Sequence, residues 1–186
     1  TAEQKRIVQS YVGHGYRNLN EHIRENRNSP QTEQQVQVLQ DFIVRSPPLP
    51  QSVTLFRLDD QHLGNEGDVV MLQGFTSTNY KYDWIDKGFG PVPLNTTVLK
   101  IRVQAGMSVL FIGGYEHEII LPSGRQYSIN KVSTESLCNR SGNSRNFRVL
   151  YMRMLEANEP PPSPDMRVWI TPSPSPPPPA SKKRKT

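Results

Sequence analysis

A single cysteine, Cys138, among 186 residues leaves no partner for an internal disulfide and no thiolate cluster for a metal. Histidine is scarce as well: His14, His22, His62 and His117 show no ligand spacing. Long apolar runs are missing, and nothing approaches the roughly 20 residues of a membrane-spanning helix. No segment reads as a signal peptide, yet the chain opens at Thr1 and so reads as a mature or excised piece, with a lost leader left open. The cysteine count suits a reducing, intracellular compartment, and equally a cysteine-poor secreted protein. Basic charge is missing from most of the chain. Of the net +5, Lys182, Lys183, Arg184 and Lys185 supply four, leaving 18 basic against 17 acidic residues before them. A nucleic-acid binder is expected to interleave basic and aromatic residues across its domain, and that pattern is not seen here.

What the chain does have is proline, unevenly placed. Ten of the 17 prolines fall between Pro160 and Pro179, around a short MRVWI island. Such a stretch favours polyproline II geometry with little packing. Residues 1–158 are therefore expected to fold, and 159–186 to form a disordered tail with a basic end. Trp169 either docks the island back on the domain or stands exposed as a ligand for a partner.

The N-terminal third has helical spacing. Ile7, Val8, Tyr11 and Val12 follow a Thr1/Gln4 capping-box spacing, Leu19, His22 and Ile23 fit a second helix, and Ser29-Pro30 opens a third carrying Val36, Leu39, Phe42 and Ile43. SPPLP (46–50) stops it. The period then changes to two. SVTLFRL (52–58), VVMLQGFTST (69–78), VLKIRV (98–103), SVLFI (108–112), HEIIL (117–121), RQYSI (125–129) and RNFRVLYMRML (145–155) read as strands, with 130–146 as a polar loop. Helices first and strands after give an α+β domain on mostly antiparallel sheets.

Two features carry chemistry. In GGYEHEIILPSG (113–124), Glu116 and Glu118 project from one side of a strand, roughly 6–7 Å apart along the backbone. His117 points the other way, so the three do not converge on a metal. Like charges this close suit acid–base or cation-stabilising work, and the competing reading is a solvated strand end. Arg57 shares a face with the apolar Val53 and Leu55, where a guanidinium needs an anion: a ligand, or a neighbour such as Asp59 or Glu118. GFTSTN (74–79) adds three successive hydroxyls, which alone are turn formers or caps.

In this order, an arginine ending the first strand, Phe-Thr-Ser-Thr and Glu-x-Glu resemble the R-S-E class of mono-ADP-ribosyltransferases, the exotoxin-like enzymes of bacteria, phages and viruses. IVQSYVGHGYRNLNEHIRE, LPQSVTLFRL and VLKIRVQAGMSVLFIGGYEHEIILPSG carry the resemblance from about residue 5 to 155. It implies N-terminal helices packed on a split two-sheet β core with a central NAD cleft, and NAD as co-substrate without a metal. Arg57 would bind the NAD phosphates, with Leu58 beside it. Ser77 would position Glu118, the catalytic carboxylate at the nicotinamide ribose, and Thr76 and Thr78 would brace the strand end and touch the ribose side. Trp84 or Phe89 would stack on nicotinamide. Glu116 would serve the acceptor, with Tyr115 offered to the target protein and Gly113 and Gly114 giving that loop its swing. Glu rather than Gln at 116 goes with arginine, whose pKa above about 12 makes it a poor nucleophile until a carboxylate holds it.

The expected partner is thus a protein with an accessible arginine. NAD glycohydrolysis, transfer to a nucleic-acid base, or a non-enzymatic NAD- or nucleic-acid-binding module are the alternatives. SKKRKT resembles a nuclear import signal, so an import receptor reading Lys182, Lys183, Arg184 and Lys185 is a second expected partner, against a merely solvated basic end. Ser163, Thr171, Ser173 and Ser175 precede proline, and phosphorylation there would offset the charge. The place of action is expected inside a cell, its own or a host's, after delivery or in a virion. Nothing in the sequence sets the oligomeric state.

Overall fold

A computed structural model describes residues 16–25, 29–59, 62–81, 95–113, 118–139, 142–160 and 168–170. The helix expected around Ile7 to Val12 and the basic end of the tail lie outside the described residues. Helix α1 (Tyr16–Glu25) is followed by α2 (Pro30–Arg45). Pro30, whose missing N–H costs nothing in a first turn, starts α2, and the Ser46 hydroxyl closes it by donating to Phe42 O. Pro47 and Pro48 cannot continue it.

Among the described residues nine strands come next: β1 (Val53–Asp59), β2 (Val69–Leu72), β3 (Thr76–Asn79), β4 (Thr97–Val103), β5 (Leu110–Gly113), β6 (Glu118–Leu121), β7 (Arg125–Cys138), β8 (Ser144–Met154) and β9 (Val168–Ile170). Their order is β5-β6-β3-β1-β4-β8-β7-β2-β9, antiparallel except for the β4–β8 and β2–β9 pairs. The ladder is nearly severed in one place, because β1 meets β3 only at Phe56 and Asn79. A three-stranded part, β5-β6-β3, is therefore set off from the six-stranded part. This is the split, mostly antiparallel core of an α+β fold.

The two parts pack face to face. Ile119, Leu121 and Val109 from the smaller part meet Leu55, Leu99, Ile101, Tyr127, Leu150 and Met152 from the larger. The smaller part's other face, with Ile120 and Leu110, is covered by Leu19, Leu39 and Ile43 of the helices and by Phe75. Helices, small sheet and large sheet thus form three layers.

Two sequence expectations fail here for physical reasons. Residues 69–78 do not form one strand. β2 pairs with β7 and β3 with β6, so Gln73, Gly74 and Phe75 carry the chain from one sheet to the other. The return crossing lies alongside: Gly124, at φ 67, donates its N–H toward Leu72 O and Gln73 O. Nor is 130–146 a polar loop, since β7 and β8 run together as a long hairpin through most of it. The polar residues of β7 are tolerated because β8 supplies the apolar partners, Phe147 and Val149. Those polar side chains bond one another: Glu135 accepts from Lys100 Nζ at 2.8 Å, from Tyr151 Oη at 2.5 Å and from Ser133 Oγ at 2.9 Å.

The end of the domain is anchored. Glu159 takes a two-pronged bond from Arg153 at 2.7 and 3.1 Å and accepts from Glu156 N. Within the Pro-rich segment, the backbone of Val168–Ile170 pairs in parallel with β2 and covers its outer edge. That is docking of the island rather than free extension.

Candidate active site

The narrow junction between the sheets gathers the polar residues. β3 and β6 are antiparallel, with Ser77 opposite Ile120 and Asn79 opposite Glu118. Directly paired residues share a face, so the side chains of Ser77 and Glu118 are diagonal neighbours. The Ser77 hydroxyl donates to Glu118 Oε1 at 2.5 Å. Glu118 is buried at 8% exposure, so a fixed carboxylate stands at the first residue of β6.

Arg57 reaches the same place from the larger sheet. Its Nη1 donates to Ser77 O at 3.0 Å, and its Nε lies 3.4 Å from Asp59 Oδ2. The carboxylate foreseen as a neighbour is thus Asp59, two residues along on the same strand face. It holds one edge of the fork, and 28% of the arginine side chain remains exposed for an anionic ligand. Tyr127 is buried in the core near Arg57 and Thr76. Burial pushes its phenol above the ordinary tyrosine range, opposed by the Thr76 hydroxyl and the charges of Arg125 and Arg57.

The other expected residues divide. Thr76 and Thr78 are buried on the face opposite Ser77. Thr78 donates to Ile119 O at 2.7 Å, which ties β3 to β6, and neither threonine is brought to the carboxylate. Leu58 turns away from the site altogether. It packs against Val98, Phe147 and Val149, because successive residues of a strand face opposite sides. Gly113 pairs with Glu118 at the hairpin ends of β5 and β6. Tyr115, Glu116, His117, Trp84 and Phe89 lie outside the described residues.

Asn20 is given no role by the sequence, but its side chain brackets the backbone of Phe75. Nδ2 donates to Phe75 O at 3.0 Å and Oδ1 accepts from Phe75 N at 2.8 Å. The sequence signal is an amide set among the apolar Leu19 and Ile23, within the IVQSYVGHGYRNLNEHIRE stretch that carries part of the family resemblance. Among the described residues, no group of three or more His, Cys, Asp or Glu is placed to hold a metal. No described helix is long and apolar enough to cross a membrane.

The family model described as ADP-ribosyltransferase exoenzyme matches residues 1–149. No curated protein sequence matches. Among solved structures, the ADP-ribosyltransferase toxin Plx2a from Paenibacillus larvae aligns with a TM-score of 0.68 at 17% identity, over 84% of this chain and 87% of its own. The C3larvin toxin from the same organism gives 0.65 at 17%, over 84% and 88%. The enzymatic component C2-I of the Clostridium botulinum C2-toxin gives 0.65 at 18%, over 83% of this chain and 44% of its own. At such identities the structural likeness establishes the fold.

Proposed function

Because the chain belongs to the ADP-ribosyltransferase exoenzyme family, with NAD as its co-substrate, we propose that it transfers ADP-ribose to an arginine side chain of a target protein and releases nicotinamide. The observation that carries this reading is the contact of Ser77 with Glu118, braced from the facing sheet by Arg57.

In this reading the exposed edge of the Arg57 guanidinium takes the pyrophosphate of NAD, where a planar fork outperforms a point charge. Glu118 faces the nicotinamide ribose and accepts a bond from its 2′-hydroxyl. As the bond from C1′ to the nicotinamide nitrogen breaks, positive charge grows on the ribose, and a buried carboxylate already in place stabilises it. Ser77 keeps that carboxylate from rotating. Glu116, two residues earlier in sequence, takes a proton from the acceptor guanidinium as its nitrogen bonds to C1′. Trp84 or Phe89 supplies the ring over nicotinamide, and Tyr115 meets the target.

The test is transfer of label from adenylate-labelled NAD to the proteins of a cell lysate. Label on protein that neutral hydroxylamine releases and mercuric chloride does not is the expected result, as for a ribosyl-guanidine bond. Free ADP-ribose accumulating with no protein labelled would contradict transfer and make water the acceptor.

A further inference from the structure

We infer that Asn20 and Gly74 form one positioning device for the Ser77–Glu118 pair, an inference that rests on the proposed reading of that pair. Phe75 sits where the chain crosses between sheets, after β2 has left β7 at Leu72 and before β3 joins β6 at Thr76. Phe75 thus lies outside both of these ladders, and buried backbone groups must be paired. The Asn20 amide gives and receives both bonds, as a neighbouring strand residue would. Aspartate cannot donate, and glutamine is one methylene too long.

The close approach depends on Gly74. A Cβ there would lie 2.6 Å from Asn20 Oδ1, 2.8 Å from its Cγ and 3.2 Å from its Cβ. Glycine at 74 and asparagine at 20 are thus one requirement. Ser77 stands two residues beyond Phe75 on a short strand, so the clamp sets where its hydroxyl meets Glu118. Helix α1 thus positions the pair through this amide.

The test is a double-variant cycle read by nicotinamide release and by hydrogen exchange in the unliganded protein. Asn20→Ala and Gly74→Ala are each expected to lower kcat by about 10- to 100-fold, with KM for NAD moving less than about threefold, because misplacement acts on the reacting geometry. The combined variant is expected to be no worse than Asn20→Ala alone, since the two shortest contacts of the new methyl are gone. Should Asn20→Ala fail to fold, Asn20→Ser takes its place. Asn20→Ala removes the acceptor of the Phe75 N–H and is expected to speed exchange at that amide, whereas Asn20→Asp keeps the acceptor, loses the donor to Phe75 O and is expected to lower kcat in the same way. Losses that multiply in the combined variant, a rise in KM at constant kcat, or unchanged Phe75 exchange in Asn20→Ala would each overturn the clamp. A wild-type protein that releases no nicotinamide would count against the catalytic reading, and with it against any role of the clamp in catalysis; Phe75 exchange would still judge the clamp itself.

Discussion

The hydroxyl of Ser77 and the carboxylate of Glu118, 41 residues apart in the chain, meet at 2.5 Å across two antiparallel strands. The bond fixes one oxygen of a buried carboxylate without neutralising it. Ser77→Ala should therefore leave NAD binding nearly intact and lower kcat for nicotinamide release by about 10- to 100-fold, or about 1.4–2.8 kcal/mol of transition-state stabilisation. Steady-state kinetics beside calorimetric NAD binding separate the two effects.

Arg57 spans the split between the sheets, with Ser77 O and Asp59 on two of its nitrogens. Lysine keeps the charge and loses the fork. Arg57→Lys should raise KM for NAD about tenfold or more, which corresponds to about 1.4 kcal/mol or more of lost binding. Titration of NAD into the variant checks it.

Glu135 lies on the far side of the larger sheet and tests the fold rather than the chemistry. Burial alone would raise its pKa, but the bonds from Lys100, Tyr151 and Ser133 outweigh that and hold it at about 2, below the ordinary 4.5. A depressed folded-state pKa stabilises fully above the unfolded value, and the contribution is lost as pH falls from 4.5 toward 2. Glu135→Gln should cost about 1 kcal/mol at pH 7, allowing for partial exposure, and the gap to wild type should close near pH 2–3. Urea unfolding at both ends of that window measures it.

Much of this fold is legible in the chain because alternation is strongest where one face is sealed. Leu99, Ile101 and Val103 of β4 are wholly buried, and Lys100 and Arg102 are not. β7 escapes such reading because its apolar complement sits on β8, so Ser133 and Glu135 look like loop residues until their partner is known. The break at Gln73–Phe75 is hidden for a similar reason. Local propensity runs through it, and only the change of partner from β7 to β6 ends the strand. At the site, the order of Arg57, Ser77 and Glu118 points to one place, and the three do meet. Leu58 does not join them, since its neighbour's function says nothing about the opposite face of the strand. Asn20 lies 55 residues from Phe75, and spacing carries no trace of that contact.

In the proposed function Glu118 serves the NAD half of the reaction and Glu116 the acceptor half. Nicotinamide release and protein labelling, measured side by side on Glu118→Gln and Glu116→Gln, test this most directly. Glu118→Gln is expected to lose both activities by about 100-fold or more, while Glu116→Gln loses labelling and keeps most of the nicotinamide release. Equal loss of both activities in Glu116→Gln, or nicotinamide release surviving in Glu118→Gln, would contradict it.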